Sequence, residues 1–403
     1  MIVVQINSEC GRGSTGRIAC AISDHLSNHG IENYILYSGN HKSDYPKGIQ
    51  INSKLSIRIH QILSRVFGDQ GFHSLYTTFR LVRTLRKLQP DVILLHNLHG
   101  YYLHLGVLFR YLQRYQKPVY WTLHDCWAFT GHCAHFLRVG CTKWEKQCFR
   151  CPARRNYPYS WFFDRSRSLY RRKKALFALP DQLHIITPSE WLASLVRRSF
   201  LGNRPITVIR NGIDLDVFHP VQSDFRERFE VGDRFMILGV ASVWSDAKGL
   251  DLFLTLSKRC PAWQIVLVGV DEQLEKKLPS TVISIRRTSD RSELAKIYSA
   301  ADVFLNPTRE DTYPTVNMEA IACGTPVLTF NVGGCPEMLE PETGVVLQDM
   351  SIEAVTEALE QLRRERRDPE RICSAAARFD RRCCLTGYLD LLGGVSAREK
   401  GHE

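Results

Sequence analysis

Two carboxylates and a predicted helix start mark residues 301–334, which read ADVFLNPTREDTYPTVNMEAIACGTPVLTFNVGG. Asp311 follows the apolar run Val303–Asn306, and Glu319 falls in the first turns of a helix that Pro314 is suited to open. A helix N-terminus favours phosphate, whereas a carboxylate beside phosphate is repelled unless it accepts hydrogen bonds from sugar hydroxyls. This combination suits a nucleotide-sugar. The alternative is that Glu319 only interacts favourably with the helix dipole.

A parallel α/β sheet would position these residues. Val303–Asn306 and Pro326–Phe330 are short apolar runs that predict buried strands, and the helix between them would end at Gly324. Phe235–Val240 predicts another buried strand, and Lys248 follows it just ahead of a helix. Ligands of such sheets bind beyond the carboxyl ends of the strands. A lysine in that place can neutralise a diphosphate.

A glycine pattern follows the first predicted strand, Ile2–Asn7. Gly11, Gly13 and Gly16 form G-x-G-x-x-G ahead of a helix predicted from about Ile18 to Asn28. This is the dinucleotide-binding pattern, but the second strand ends without the acidic residue that NAD sites use, which disfavours NAD or NADP. We therefore expect a flexible loop that lets a ligand approach closely.

A cysteine-rich segment covers residues 126–155. Cys148-x-x-Cys151 is half of a zinc knuckle, and Cys133 and Cys141 could complete a structural tetrahedral thiolate site. The alternative is a set of free thiols in a packed loop. Thirteen cysteines in the chain predict a reducing compartment rather than disulfides.

The composition is that of an ordinary soluble globular protein of two to three domains, with 44% hydrophobic and 24% charged residues. The first 210 residues hold 30 Lys and Arg against 11 Asp and Glu, and the remainder hold 23 against 31. This asymmetry predicts an anionic membrane surface or nucleic acid as a partner, or a basic surface that is only solvated. The sequence contains no run of about 18 apolar residues, so we expect no membrane span. Met1–Ser8 lacks a basic n-region, so we expect no signal peptide.

The motifs resemble those of retaining GT-B glycosyltransferases of the Glu-x(7)-Glu (group 1) family, which use nucleotide-sugar donors. The resemblance implies that Glu319 holds the ribose hydroxyls. It implies that Asp311, where the family has glutamate, contacts the donor sugar. Lys248 and the helix end at Thr315 would stabilise the departing diphosphate. His124, which ends a predicted strand, would lie close to the donor sugar.

Two positions depart from the family pattern. Pro314 stands where the family often has a glycine whose N–H can approach the ligand, so that contact would have to come from Thr315 and its neighbours. Ser242 stands where the family has an arginine that partners Lys248. Three other arginines could supply the missing cation: Arg286, Arg287 and Arg309.

The predicted fold is α/β of the GT-B type, with two Rossmann-like domains facing a cleft. Residues 1–210 would form the acceptor-side domain, which carries the cysteine-rich insertion, and residues 211–377 the nucleotide-sugar-binding domain. Residues 378–403 would form a terminal helix that returns to the first domain. The loop with Gly13 and Gly16 would face the acceptor and the donor diphosphate.

The predicted activity is transfer of a hexose from a UDP- or GDP-sugar to a glycan or polyprenyl-diphosphate-linked acceptor, with retention of configuration. No cofactor would be required for catalysis, and zinc would be structural only. The succession HDCW…TGHC…GC…W…C..CP resembles bacterial surface-polysaccharide transferases of the colanic acid and O-antigen type. It implies a cytoplasmic enzyme of lipopolysaccharide or exopolysaccharide synthesis, peripheral on the inner membrane. The alternatives are a nucleic-acid-binding protein with a zinc knuckle and a nucleotide-sugar epimerase of the same fold.

Overall fold

The computed structural model describes residues 1–39 and 41–399, with side chains as far as Gly393. Contacts within the chain divide it into two compact units. The first comprises Met1–Arg210 and the chain from Leu385 onwards, and the second comprises Asn211–Cys384. Among the described residues, no helix combines the length and apolar character needed to span a membrane.

The first unit is built on one parallel sheet. Its strands are β1 Ile2–Asn7, β2 Glu32–Tyr37, β3 Gly48–Gln50, β4 Val92–Leu95, β5 Val119–Thr122, β6 Leu183–Thr187 and β7 Ile206–Val208, in the order β3-β2-β1-β4-β5-β6-β7. Its helices are α1 Gly13–Asn28, α2 Lys54–Phe67, α3 Leu75–Leu88, α4 Leu105–Tyr115, α5 Ser166–Phe177 and α6 Glu190–Arg198. The cysteine-rich segment contains only short 3-10 helices and loops.

The second unit is a smaller sheet of the same kind. Its strands are β8 Met236–Val240, β9 Gln264–Val268, β10 Val282–Ile285, β11 Val303–Asn306, β12 Val327–Phe330 and β13 Gly344–Leu347, in the order β10-β9-β8-β11-β12-β13. Its helices are α7 Phe225–Arg228, α8 Leu250–Arg259, α9 Glu272–Glu275, α10 Arg291–Ala300, α11 Thr315–Ala322, α12 Ile352–Arg364, α13 Pro369–Ser374 and the start of α14 Arg381–Glu399. All pairs in both sheets are parallel.

The central strands are apolar because helices cover both faces of a parallel sheet. Every residue of β4, β5, β11 and β12 is buried. In each sheet the strand order reverses at one place. This is between β1 and β4 in the first sheet and between β8 and β11 in the second. Ligands of doubly wound sheets bind beyond the strand ends at this reversal. The predicted α/β class with two Rossmann-like sheets is confirmed.

The terminal helix α14 begins at Arg381, whereas we predicted it from residue 378. From Leu385 it belongs to the first unit, where Tyr388 Oη lies 2.9 Å from Thr122 Oγ1 at the end of β5. The Tyr120 hydroxyl donates to the carbonyl oxygen of Leu391 at 3.3 Å. Residues 400–403, the end of the predicted terminal helix, lie outside the described residues.

Candidate active site

Glu319 lies in the second turn of α11, and its side chain is buried. The residue is 8% exposed, and its Oε2 accepts a hydrogen bond from the Tyr298 hydroxyl at 3.2 Å. Burial, reinforced by the Glu319 carboxylate, raises the pKa of Tyr298, so this hydroxyl remains a donor. A carboxylate that served only the helix dipole would stay in solvent, because burying a charge is costly. The burial therefore favours a binding role for Glu319.

Asp311 lies in the loop after β11, and both of its carboxylate oxygens are engaged. Oδ1 accepts hydrogen bonds from the backbone N–H groups of Thr312 and Tyr313, at 2.9 and 3.3 Å. Oδ2 lies 2.8 Å from Lys248 Nζ. Burial alone would lower the pKa of Lys248, but the Asp311 carboxylate raises it above its usual value, so the ammonium stays charged. The structure thus joins the predicted diphosphate cation and the predicted sugar-binding carboxylate in one ion pair.

Two glycines allow the loops around this ion pair to pack closely. Gly249 has φ +70°, and a Cβ there would lie 2.5 Å from the carbonyl oxygen of Pro307. Gly333 has φ +59°, and its Cβ would lie 1.7 Å from the carbonyl oxygen of Asp311. Both distances are far below van der Waals contact, so the position of the Asp311 loop depends on glycine at both places.

The helix α11 begins at Thr315, and Pro314 caps it with φ −73° and ψ 116°. The first backbone N–H groups of a helix have no partner inside the helix and can bind an anion. Since proline has no N–H, the free N–H donors of this helix end begin at Thr315. The Asn306 side chain at the end of β11 donates to Asn317 Oδ1 at 2.7 Å, and this buried contact fixes the start of α11 against the sheet.

Two of the three arginines proposed to replace the cation absent at Ser242 are bound to carboxylates. Arg309 makes a bidentate pair with Asp251, at 2.8 and 2.7 Å. Arg286 pairs with Glu275 at 2.6 Å. In both cases the guanidinium is already neutralised, so Lys248 is the cation that the structure places beside Asp311.

His124 follows β5 at the carboxyl edge of the first sheet. Its Nε2 lies 3.2 Å from His96 Nδ1, and His96 Nε2 lies 3.0 Å from Gln5 Oε1. Because the Gln5 amide nitrogen donates to Ala19, Gln5 Oε1 must accept from His96 Nε2–H, and His124 Nε2–H then donates to His96 Nδ1. Burial lowers the pKa of His124 to about 4 and that of His96 well below its usual value. Both rings are therefore neutral at pH 7, which suits contact with sugar hydroxyls.

A second, partly buried network lies beside His124 and was missed by the sequence reasoning. His99 Nε2 lies 2.7 Å from Asp125 Oδ2, and His99 Nδ1 lies 3.0 Å from the Tyr157 hydroxyl. Burial would raise the pKa of Asp125, but the His99 ring holds it at about 2. No local spacing could have found this network, because Tyr157 is 58 positions from His99 along the chain.

The glycine-rich segment folds differently from our prediction. The helix α1 begins at Gly13, five residues before the predicted Ile18, so Gly13 and Gly16 lie in its first turn rather than in a flexible loop. Gly13 has φ +62°. A Cβ on Gly16 would lie 3.3 Å from the backbone nitrogen of Cys10, so glycine lets the helix lie close to the turn after β1. The helix N-terminus remains at the ligand edge of the sheet.

Comparison with known families now decides the class of the protein. Residues 15–217, half of the chain, match the model of the family described as Glycosyltransferase Family 4. Residues 234–365 match the model described as Glycosyl transferases group 1. The chain belongs to glycosyltransferase family 4. It is therefore an enzyme that transfers a glycosyl group.

Relatives of this glycosyltransferase cover nearly the whole chain. An Escherichia coli K12 protein, WcaC, named as a colanic acid biosynthesis glycosyl transferase, is 25% identical over 373 residues, 87% of this chain and 88% of its own length. Sucrose-phosphate synthase from Thermosynechococcus elongatus superposes with a TM-score of 0.70 at 18% identity, over 98% of this chain and 99% of its own. Anabaena Alr3699/HepE in complex with UDP-glucose superposes with a TM-score of 0.68 at 15% identity, over 98% of this chain and 100% of its own. These structures confirm the predicted GT-B fold class.

The cysteines proposed to bind zinc in this glycosyltransferase lie in loops of the first unit. A hydrogen bond between Cys133 and Cys151 raises the pKa of Cys133, and Cys148 Sγ accepts the Gly131 N–H at 3.2 Å. Cys141 packs against the edge of the hydrophobic core. In the part of the chain that the structure describes, no group of three or more His, Cys, Asp and Glu side chains is placed to hold a metal ion. As placed, the four thiols do not form a tetrahedral set, and the zinc site stays a prediction.

Proposed function

We propose that this glycosyltransferase moves a hexose from a UDP- or GDP-sugar to a glycan or polyprenyl-diphosphate-linked acceptor, with retention of configuration. The observation that carries the proposal is the buried Glu319 at the start of α11, in the unit that holds the Lys248–Asp311 pair. The UDP-glucose in the Anabaena structure supports a nucleotide-sugar donor. The relative named for colanic acid biosynthesis supports a role in bacterial surface-polysaccharide synthesis, with lipopolysaccharide or O-antigen as related products.

The second unit would bind the donor. When a diphosphate arrives at the N–H groups of Thr315 and its neighbours, the ammonium of Lys248 turns towards it. The ion pair of 2.8 Å then opens, and Asp311 Oδ2 becomes free to accept a sugar hydroxyl. The Glu319 carboxylate, oriented by the Tyr298 hydroxyl, accepts hydrogen bonds from the two ribose hydroxyls. Donor binding and sugar recognition are in this way linked, because Lys248 and Asp311 leave each other to bind the diphosphate and the sugar.

The transfer itself would be driven by position and electrostatics. The bond between the sugar C1 and the diphosphate oxygen breaks, and a bond from C1 to the acceptor oxygen forms on the same face. The acceptor proton passes to the leaving phosphate oxygen. Lys248 and the Thr315 helix end stabilise the negative charge that develops there. In the first unit, His124 offers a neutral ring to a sugar hydroxyl. No step uses a metal or cofactor.

The test combines donor binding and transfer in variants of one residue. Glu319→Gln keeps the shape of the side chain and removes its charge. We expect it to lose the melting-temperature rise that the matching UDP- or GDP-sugar gives the wild type, and to transfer at least about a hundredfold more slowly. Glu357→Gln changes an exposed glutamate of α12 in the same unit and should behave as the wild type. The anomeric signal of the product, read by NMR, tests retention.

Wild-type donor binding and transfer in Glu319→Gln would remove this residue from the mechanism. Inversion at the anomeric carbon would contradict the retaining assignment while leaving the donor site intact. An epimerase would convert the nucleotide-sugar without an acceptor, so incubation with donor alone separates it from a transferase. We further propose that the enzyme works at the cytoplasmic face of the inner membrane, in contact with its anionic surface. A salt-dependent gel shift with generic DNA or RNA would instead favour the nucleic-acid alternative.

A further inference from the structure

The first unit exposes a large apolar surface, which we call the aromatic face. In the described part of the chain, seventeen large hydrophobic side chains are exposed, and twelve of them lie in α2, the start of α3 and the loop at residues 157–163. They are Leu55, Ile59, Ile62, Phe67, Leu75, Tyr76, Phe79, Tyr157, Tyr159, Trp161, Phe162 and Phe163. Scattered apolar side chains are normal on a protein surface, but a large contiguous patch marks a binding surface.

Helix α2 carries apolar residues on two sides. Its buried side is formed by Ile57, His60 and Ser64. On another side Leu55, Ile59 and Ile62 follow one another at helical spacing and are 68%, 50% and 48% exposed. An ordinary surface helix is polar on its outer side, so packing within this unit does not account for the exposed area of the second apolar stripe.

The three segments of the aromatic face are in contact. The backbone N–H of Trp161 donates to the carbonyl oxygen of Arg65 at 2.7 Å, which fixes the loop to the end of α2. The Arg65 guanidinium lies 5.6 Å from the Tyr159 ring centroid and 5.8 Å from that of Trp161. Thr77 of α3 donates to Asn52, just before α2, at 3.2 Å. The face is therefore one surface rather than three separate ones.

The aromatic face is strongly basic. Residues 53–88 and 154–167 contain eleven Lys and Arg and two acidic residues. Both acidic side chains are engaged within the protein: Asp69 pairs with His73 at 2.5 Å, and Asp164 accepts backbone N–H groups of Cys151 and Ser166 at 2.7 and 2.9 Å. The net charge of this surface thus comes from exposed arginines and lysines.

We propose that the aromatic face binds an anionic lipid bilayer, with Trp161, Phe162 and the α2 stripe inserted among the headgroups. Tyrosine and tryptophan favour the membrane interface, and arginine chains can extend from an apolar surface to lipid phosphates. A second copy of the chain is disfavoured as the occupant, because it would bring two basic surfaces together. Nucleic acid is disfavoured because Leu55, Ile59 and Ile62 offer it neither charge nor stacking.

The face also leads to the candidate active site in the same unit. Tyr157 belongs to the exposed loop, yet its hydroxyl reaches His99, which pairs with Asp125 next to His124. A lipid-linked acceptor held in the bilayer would thereby meet the enzyme beside the acceptor-side residues. This last step rests on the proposed transfer to a lipid-linked acceptor, whereas the lipid contact, which assigns a surface to the membrane contact proposed above, is argued from the aromatic face alone.

The test is vesicle flotation of the full-length protein without donor or acceptor. We expect binding to vesicles in which about a third of the lipid is phosphatidylglycerol, little binding to pure phosphatidylcholine, and weakening as salt is raised. Trp161→Ser/Phe162→Ser and Arg80→Glu/Arg83→Glu should each weaken binding about tenfold or more. Val243→Ser/Met350→Ser removes exposed apolar side chains of the second unit and should not change it.

The variants also separate this inference from the proposed function. All the changed side chains are exposed, so melting temperature and the thermal shift with nucleotide-sugar should be those of the wild type in every variant. Equal binding to neutral and anionic vesicles, or equal loss in the second-unit control, would overturn the inference. Sedimentation showing a wild-type dimer that the Trp161→Ser/Phe162→Ser variant dissolves would also overturn it, because the face would then join two copies.

Discussion

Tyr298→Phe removes one oxygen atom from the candidate donor site. The ring contacts with Phe304 and Phe218, at centroid distances of 5.4 and 6.3 Å, stay in place. The lost hydrogen bond to the Glu319 carboxylate, 3.2 Å long and buried, costs about 1.5–3 kcal/mol. For a unit of this size the melting temperature should fall by roughly 3–12 °C. Because the same hydroxyl orients Glu319, the KM for the donor should rise about tenfold, with a smaller change in kcat. Thermal unfolding and initial rates measure these effects.

Tyr34→Phe provides a matched control for this prediction. The Tyr34 hydroxyl donates to Glu32 at 2.8 Å, but this pair lies on the surface of the first unit. Its loss should change stability by no more than about 0.5 kcal/mol and leave the KM for the donor unchanged. If Tyr298→Phe kept both the wild-type melting temperature and KM, the hydroxyl would have no role in orienting Glu319. A lower melting temperature with unchanged KM would make the contact structural only.

Three further predictions concern charge, pH and metal. Lys248→Ala should lower kcat about a hundredfold, whereas Lys258→Ala, an exposed lysine of α8, should not; equal rates would remove Lys248 from leaving-group stabilisation. Stability should fall as the pH drops from about 6.5 towards 4, because burial lowers the pKa of His124 and His132 to about 4. In this window the unfolded chain binds more protons than the folded protein, and each histidine contributes up to about 1.4 kcal/mol per pH unit. Urea unfolding at several pH values measures how the unfolding free energy changes with pH. An unfolding free energy that does not change between pH 6.5 and 4 would contradict the lowered pKa values of these histidines. Dialysis against EDTA should leave the transfer rate unchanged, since no proposed step uses metal. A loss of activity would contradict this prediction. Metal analysis of the untreated protein tests for zinc at the four cysteines.

The central elements could be predicted from the sequence because burial on both faces forces apolar composition. The strands β1 and β11 have the predicted bounds. The edge strands β3 and β13 were missed. Each pairs with only one neighbour, and most of their residues are only partly buried.

The start of α1 was predicted too late for a related reason. Its first turn contains Gly13 and Gly16, and neither glycine nor the serine and threonine between them gives an apolar helical pattern. The turn after β1, whose Gly11 N–H donates to the Gly16 carbonyl oxygen at 3.2 Å, positions this first turn more than helix propensity does.

The site could be predicted only in part. Spacing along one segment places Asp311 and Glu319 on a loop and the helix that follows, so local sequence was enough to propose them. Their partners come from elsewhere: Tyr298 lies on another helix, and Lys248 is 63 positions from Asp311. Such pairs depend on the order of strands in the sheet, which a single sequence does not reveal.

The tight fit at Gly333 has a practical consequence for changing donor preference. With a Cβ only 1.7 Å from the Asp311 carbonyl oxygen, any side chain at this position would displace the loop that carries Asp311, the residue proposed to contact the sugar. Mutant libraries for sugar selection should therefore hold Gly333 constant.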